Sequence, residues 1–180
     1  MYIDIFNTDI KYKTICADPP WYERGGGRIK RGADRHYPLM KTDGIIQLPV
    51  KNLISEEGCH LYLWTTNNFL KDALKVVDAW GFEYVTIITW IKDRQGLGQY
   101  YRGNTEHCLF GTTKKRLPYK IKDGKRCQGV TGFYEVRKEH SVKPSKMREM
   151  IETVSYPNRI ELFARQKYDG WDYWGSEVNL

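Results

Sequence analysis

Asp18-Pro19-Pro20-Trp21-Tyr22 is the stretch of this chain whose residue types, in this order, could do chemistry. Proline has no N–H and a fixed φ, so two in succession can neither pair in a sheet ladder nor continue into a helix. What such a backbone keeps is its carbonyls. Together with the Asp18 carboxylate, the carbonyls of Pro19 and Pro20 make a rigid rim that only accepts hydrogen bonds, and Trp21 and Tyr22 follow with aromatic faces. An acceptor rim beside an aromatic plate suits a planar heterocycle with an exocyclic amino group, held by its two hydrogens and stacked on its face, as adenine would be. The same spacing reads equally well as a strand that ends in a Pro-Pro turn, with a surface aspartate and a core tryptophan.

The elements that must position these residues are legible on either side. The apolar run 12–17 reads as a buried strand that delivers Asp18 at its end. Before it, the alternation Ile3-Asp4-Ile5-Phe6 predicts a small edge strand. Residues 42–48 predict a short helix with Thr42 as cap and Pro49 as stop. A second strand is expected at 59–64, then a helix with Leu70, Ala73, Leu74, Val77 and Trp80 on one face, ended by Gly81. Residues 84–91 are crowded with β-branched side chains, which predicts a third strand covered on both faces. Further strands are expected at 106–111 and 159–163, and a helix at 146–154 behind Ser145 as its cap, with Met147, Met150, Ile151 and Val154 on one face. Strands alternating with helices predict an α/β fold, a mostly parallel sheet with helices on both faces.

Composition narrows the function classes. The 180 residues are read as a single domain, 1–180, and 29 Lys and Arg against 22 Asp and Glu give a net charge of +7. That balance favours a polyanionic partner, nucleic acid above all, although it also serves solubility. The positive charge is concentrated in two loops. The first, about 23–36, joins three successive glycines to Arg24, Arg28, Lys30 and Arg31, which cannot pack a core and are suited to neutralising phosphates. The second, about 112–126, carries Lys114, Lys115 and Arg116 at its start and only one acid, Asp123, and reads as a hairpin or a disordered excursion. A solvated charge run is the rival reading of both. Cys16, Cys59, Cys108 and Cys127 lie far apart and share no ligand spacing with the four histidines, so no metal centre is expected. Reduced thiols, an N-terminus without the pattern of a signal peptide, and no apolar segment of spanning length predict a soluble, cytoplasmic protein with no membrane role.

Asp18-Pro19-Pro20-Trp21 closing an apolar strand resembles the signature of the MT-A family of adenine N6-methyltransferases, which includes the mRNA-methylating enzyme of eukaryotes and small phage and bacterial members. The resemblance continues, in the family's order, through His36-Tyr37-Pro38-Leu39-Met40, Leu61-Tyr62-Leu63-Trp64-Thr65-Thr66-Asn67, Trp80-Gly81-Phe82-Glu83-Tyr84, Thr89-Trp90-Ile91-Lys92, Arg102-Gly103-Asn104-Thr105-Glu106-His107, His140-Ser141-Val142-Lys143-Pro144, Glu161-Leu162-Phe163-Ala164-Arg165 and Gly170-Trp171-Asp172-Tyr173-Trp174-Gly175. It implies a Rossmann-like methyltransferase fold with permuted motif order, catalytic before cofactor, and S-adenosylmethionine as cofactor. It implies Asp18, Pro19, Pro20 and Trp21 as the catalytic segment. Lys143 would grip the carboxylate of the cofactor's methionine end, and Arg165, Ser176 and Glu177 would reach its ribose. Ser176 stands where the family has asparagine, and Ala164 where glycine would be expected. Tyr22, Arg24, Arg28, Lys30, Arg31, Tyr37, Glu106, Lys114, Lys115 and Arg116 are the residues expected to meet the nucleic acid, with the segment up to Tyr37 as a gate over the acceptor base and Glu106 as an acid beside it. Small size without an appended recognition domain resembles the DNA-modifying members, so DNA is favoured over RNA. An RNA adenine methyltransferase and a catalytically silent nucleic-acid-binding relative are the alternatives, and a homodimer is compatible with the sequence.

Overall fold

Thr14, Ile15, Cys16 and Ala17 are all buried, the pattern of a strand covered on both faces. A computed structural model of the chain describes residues 1–22, 39–96, 98, 100–137 and 142–175. Its elements, in chain order, are β1 (Thr14–Ala17), α1 (Thr42–Ile46), β2 (His60–Thr65), α2 (Leu70–Ala79), β3 (Phe82–Ile91), β4 (Thr105–Thr113), β5 (Ile121–Lys122), β6 (Lys125–Arg126), β7 (Gly132–Tyr134), α3 (Ser145–Val154), β8 (Arg159–Leu162) and β9 (Trp171–Trp174). Seven strands form one sheet in the order β7-β3-β4-β2-β1-β8-β9. Every pairing is parallel except the two made by β4, which runs against β2 and β3. The expected α/β class and mostly parallel sheet are what the chain adopts. β5 and β6 pair only with each other, as a short hairpin inside the basic stretch 112–126.

Alternation along the strands divides the core in two. Ile15, Ala17, Leu61, Leu63, Leu109, Ile160 and Leu162 face α1 and α2, where Ile45, Ala73, Val76, Val77 and Trp80 meet them. Cys16, Tyr62, Trp64, Cys108 and Trp90 face the other way, against Met147 and Ile151 of α3. Helices therefore cover both faces. The chain leaves β1 to one side for β2 and returns on the other for β8, which makes the carboxyl end of β1 the switch point where open α/β sheets bind ligands.

Several expectations are corrected in detail. The segment Ile3-Asp4-Ile5-Phe6 is not a strand: only Tyr2 bridges Tyr173 of β9, and the chain then turns, because burying Ile3 and Ile5 in the core takes precedence over extending the edge. Val76, not Leu74, completes the buried face of α2, and Leu74 is exposed. Tyr84 and Val85 are exposed as well, and so is Ile91 at its end, so β3 is covered on both faces only over residues 86–90. Thr42 and Ser145 are first helical residues rather than caps. At α3 the capping comes from a distant carboxylate, Glu135, which accepts from the Ser145 and Lys146 backbone N–H groups at 3.1 and 3.0 Å.

Candidate active site

The parallel strands all end at one edge of the sheet, and β4, being reversed, begins there. Asp18 follows β1, Lys92 follows β3, Arg165 lies just beyond β8, and Glu106 is the second residue of β4. Lys143 precedes α3, the helix that leads into β8. Five charged side chains from five places in the sequence therefore meet at the switch point. Lys143 Nζ lies 3.0 Å from Asp18 Oδ1 and also donates to Glu106 Oε1, Arg165 Nη2 lies 3.4 Å from Asp18 Oδ2, and Lys92 Nζ lies 2.7 Å from Glu106 Oε2. Two carboxylates and three cations leave the cluster with one net positive charge, suited to an anionic ligand.

The floor beneath is aromatic. Trp64 and Trp90 meet edge to face with ring centroids 6.4 Å apart, Lys143 Nζ stands 5.1 Å from the Trp64 ring centre, and Lys92 Nζ stands 4.8 Å from that of Trp90. Burial alone would raise the Glu106 carboxyl, but the ammonium groups of Lys143 and Lys92 outweigh it and hold it down at about 2. Burial would lower Lys143, yet Asp18 and Glu106 keep it above the ordinary lysine value. Both remain ionised throughout the neutral range.

The backbone of the Asp-Pro-Pro-Trp segment is tied down. The Trp21 N–H donates to the Pro19 carbonyl at 2.9 Å, Met40 N–H to the Pro20 carbonyl at 2.7 Å, and Tyr22 N–H to the Met40 carbonyl at 3.0 Å. Each proline carbonyl thus accepts one hydrogen bond within the turn, and Pro19 is buried while Pro20 is half-buried. Trp21 corrects the sequence reading. Its ring is buried, stacked on Phe69 at 5.6 Å and 17°, with the indole N–H donating to the Trp64 carbonyl at 3.0 Å. It is the core tryptophan of the alternative reading, an anchor for the turn rather than an open plate. Tyr22, 45% exposed, is the aromatic ring left free to stack.

Beside the cluster lies a cavity of about 380 Å³ lined in part by Trp64, Lys143, Arg148, Glu161, Gln166 and Tyr168. Arg148 Nη2 reaches Glu161 Oε2 at 2.6 Å, whereas its Nη1 is buried without a hydrogen-bond partner among the described residues. One unpartnered guanidinium nitrogen, Arg148 Nη1, and the Lys143 ammonium, together with the Glu161 carboxylate and aromatic rings, suit a ligand with a carboxylate, hydroxyls and a flat ring.

The structure brings Asp18, Pro19, Glu106, Lys143 and Arg165 together, with Tyr22 at the far end of the same turn. Lys114, Lys115 and Arg116 it does not bring there: they are exposed just past the carboxyl end of β4, at the opposite edge of the sheet, because β4 is antiparallel. Arg24, Arg28, Lys30, Arg31, Tyr37, Ser176 and Glu177 lie outside the described residues. Sequence reasoning gave no role to Lys92, Trp64 or Arg148. For the first two the available signal was position at the carboxyl end of a predicted strand. His107, next to Glu106, shares hydrogen bonds with Asn67 Oδ1 at 2.8 Å and Thr89 Oγ1 at 3.0 Å, which fixes the chain after β2 to this edge.

A family model described as MT-A70 matches residues 12–177. A type II methyltransferase, M.MunI, of Mycoplasma sp is 31% identical over 189 residues, covering 93% of this chain and 78% of that protein. The N(6)-adenosine-methyltransferase catalytic subunit METTL3 of Homo sapiens is 30% identical over 168 residues, covering 86% of this chain and 26% of that protein. A probable N(6)-adenosine-methyltransferase MT-A70-like protein of Oryza sativa subsp. japonica is 29% identical over 192 residues, covering 97% and 24%. The chain spans about a quarter of the length of these two eukaryotic relatives.

Proposed function

The chain belongs to the MT-A70 family, and from that premise we propose that it is a single-domain, S-adenosylmethionine-dependent methyltransferase acting on N6 of adenine in nucleic acid, with DNA as the favoured substrate. The observation that carries this reading is the Asp18 carboxylate, held at the switch point of the sheet by Lys143 and Arg165 beside the Pro19 carbonyl. DNA is favoured because M.MunI, a type II methyltransferase, is matched over most of its own length.

The residues fit the cofactor. Lys143 and the orphaned Arg148 Nη1 supply cations for a carboxylate or hydroxyls, and a cavity of about 380 Å³ is within the range of ligand pockets. Lys143, Arg165, Ser176 and Glu177 are the residues assigned to hold it. When bound, it supplies a methyl group that is already electrophilic. The chain's own residues then align the acceptor. An adenine amino group is a weak nucleophile because its lone pair is delocalised into the ring, and its nitrogen gains positive charge as it attacks. Asp18 accepts a hydrogen bond from one N6–H and the Pro19 carbonyl from the other, which draws the nitrogen toward tetrahedral geometry and stabilises that charge. As the N–C bond forms, the methyl's bond to sulfur breaks to leave a neutral thioether, and one N6 proton is lost to water. Trp21 acts by anchoring the turn. Tyr22 stacks on the base, which must be unpaired or flipped out of a duplex to reach the rim.

The test is transfer of labelled methyl from S-adenosylmethionine to matched single-stranded and duplex DNA and RNA, followed by nucleoside mass spectrometry. N6-methyldeoxyadenosine is the expected product. Label on RNA adenosine alone would replace DNA by RNA, and binding without transfer to any of the substrates would contradict the assignment as an enzyme.

A further inference from the structure

β3 and β4 are joined at the site's edge of the sheet by a loop whose root is the Lys92–Glu106 pair. Among its described residues the backbone is hydrogen-bonded. Lys92 N–H donates to the Asn104 carbonyl at 2.7 Å, Gly96 N–H to the Gly103 carbonyl at 2.6 Å, and Arg102 Nε to the Gly96 carbonyl at 3.1 Å. Gly98 lies against the backbone of Tyr101 so closely that no Cβ fits between them. The loop presents two consecutive aromatic side chains, Tyr100 at 93% and Tyr101 at 91% exposure, followed by exposed Arg102. Two adjacent rings held almost wholly in water are an unusual use of apolar surface unless a ligand covers them.

We infer that Tyr100, Tyr101 and Arg102 form a stacking platform for the nucleotide next to the acceptor adenine on a single strand. This rests on the reading that the chain methylates adenine in nucleic acid. Drawing one base out of a strand unstacks its neighbours, and a base that has lost its partner recovers that energy on an aromatic face of any sequence context. Tyrosine suits the task because its ring stacks while its hydroxyl keeps it soluble. Arg102, exposed beside the rings, is the cation at hand to neutralise an adjoining phosphate, whereas Arg94 on the near side of the loop is paired with Asp93 at 3.3 Å. The loop's root on Glu106, itself bound to the lysine that holds Asp18, puts the platform beyond the acceptor rim along the same edge of the sheet.

The test compares the wild-type chain with Tyr100→Ala/Tyr101→Ala and Tyr100→Phe/Tyr101→Phe by fluorescence anisotropy. The probes are short single-stranded DNAs with one adenine, either intact or abasic at one neighbour of that adenine. The alanine pair should bind the intact strand about tenfold to a hundredfold more weakly, and the phenylalanine pair about as tightly as wild type. Removing the correct neighbouring base should weaken the wild type by a similar factor and leave the alanine pair unchanged. An alanine pair that binds the intact strand like wild type, or that loses as much as wild type on the abasic strand, overturns the platform. So does a wild-type dimer that sedimentation shows the alanine pair has lost, since the rings would then cover a second copy. A wild-type chain that binds none of the strands removes the nucleic-acid reading itself, an outcome distinct from a failure confined to the variants.

Discussion

At the residue scale, the Asp18-Lys143-Glu106-Lys92 chain of charges is the centre of the site. Glu106 and Lys143 hold each other ionised across neutral pH. Glu106 also links the site to stability. Its carboxyl is held at about 2 against an ordinary 4.5, so its contribution is complete above the ordinary value and is lost as pH falls through about 2. The shift corresponds to roughly 3 kcal/mol. Thermal unfolding of Glu106→Gln should therefore show a deficit against wild type that is largest above about pH 5 and narrows toward about pH 2; a deficit independent of pH would deny the linkage. Lys143→Ala should weaken S-adenosylmethionine binding about tenfold to a hundredfold by calorimetry, the worth of a charge-assisted hydrogen bond. An unchanged affinity would take Lys143 out of the cofactor's site. Asp18 was legible in the sequence because Pro19 and Pro20 mark where the strand must break, and Lys143 because His140-Ser141-Val142-Lys143-Pro144 resembles the family's segment. Lys92 and Arg148 were not, because nothing local distinguishes a lysine after a strand or an arginine on a helix from a solvated one. Only the sheet order supplies their partners.

At the element scale, the site depends on how the ends of β8 and β9 are packed. After β8, Phe163 takes a left-handed φ of 61°, and Ala164 N–H donates to the Trp174 carbonyl at 2.9 Å, which aims Arg165 back at Asp18. Gly175 closes over this turn. A Cβ there would collide with the Ala164 carbonyl and come within 2.7 Å of its nitrogen, both backbone atoms that cannot step aside. Gly175→Ala should cost about 1–3 kcal/mol of stability, as overpacking does, and should also weaken cofactor affinity by displacing Arg165. A variant with unaltered melting and affinity would mean that the turn yields freely. β1, β2, α2 and α3 were legible from periodicity, which is local. The insertion of antiparallel β4 between β2 and β3 was not, because strand order is decided by distant pairings. Nor was Glu135 as the cap of α3, ten residues before the serine it bonds. The short β9, which follows β8 closely, was missed because Trp171 and Tyr173 were read as motif residues rather than as the buried side of a strand.

At the scale of the whole molecule, the net charge of +7 includes one exposed basic group, Lys114, Lys115 and Arg116, that lies away from the acceptor edge. Glu106 and Thr113 are seven positions apart on β4, so Lys114, Lys115 and Arg116 stand about 24 Å from the acceptor edge at ~3.4 Å per residue. We propose that they are a distant electrostatic contact for nucleic acid. Replacing all three by alanine should leave cofactor affinity and binding of short oligonucleotides unchanged. It should weaken binding of strands long enough to reach the far edge and flatten their salt dependence by about two to three in the log–log slope. Loss of affinity for short and long strands alike would contradict that geometry. No helix among the described residues is long and apolar enough to cross a membrane, and no group of three or more His, Cys, Asp or Glu among them could hold a metal ion.

The central claim is that the Asp18 carboxylate aligns an adenine N6 for methylation. It is tested most directly by nucleoside mass spectrometry after incubating wild type and Asp18→Asn with labelled S-adenosylmethionine and adenine-containing DNA, with cofactor affinity measured on both proteins. N6-methyldeoxyadenosine is expected from wild type, with its rate of formation lower by about a hundredfold or more in the variant, while cofactor affinity changes by only a few-fold. Product formed by Asp18→Asn at the wild-type rate, or methyl found on another nucleoside, would contradict it.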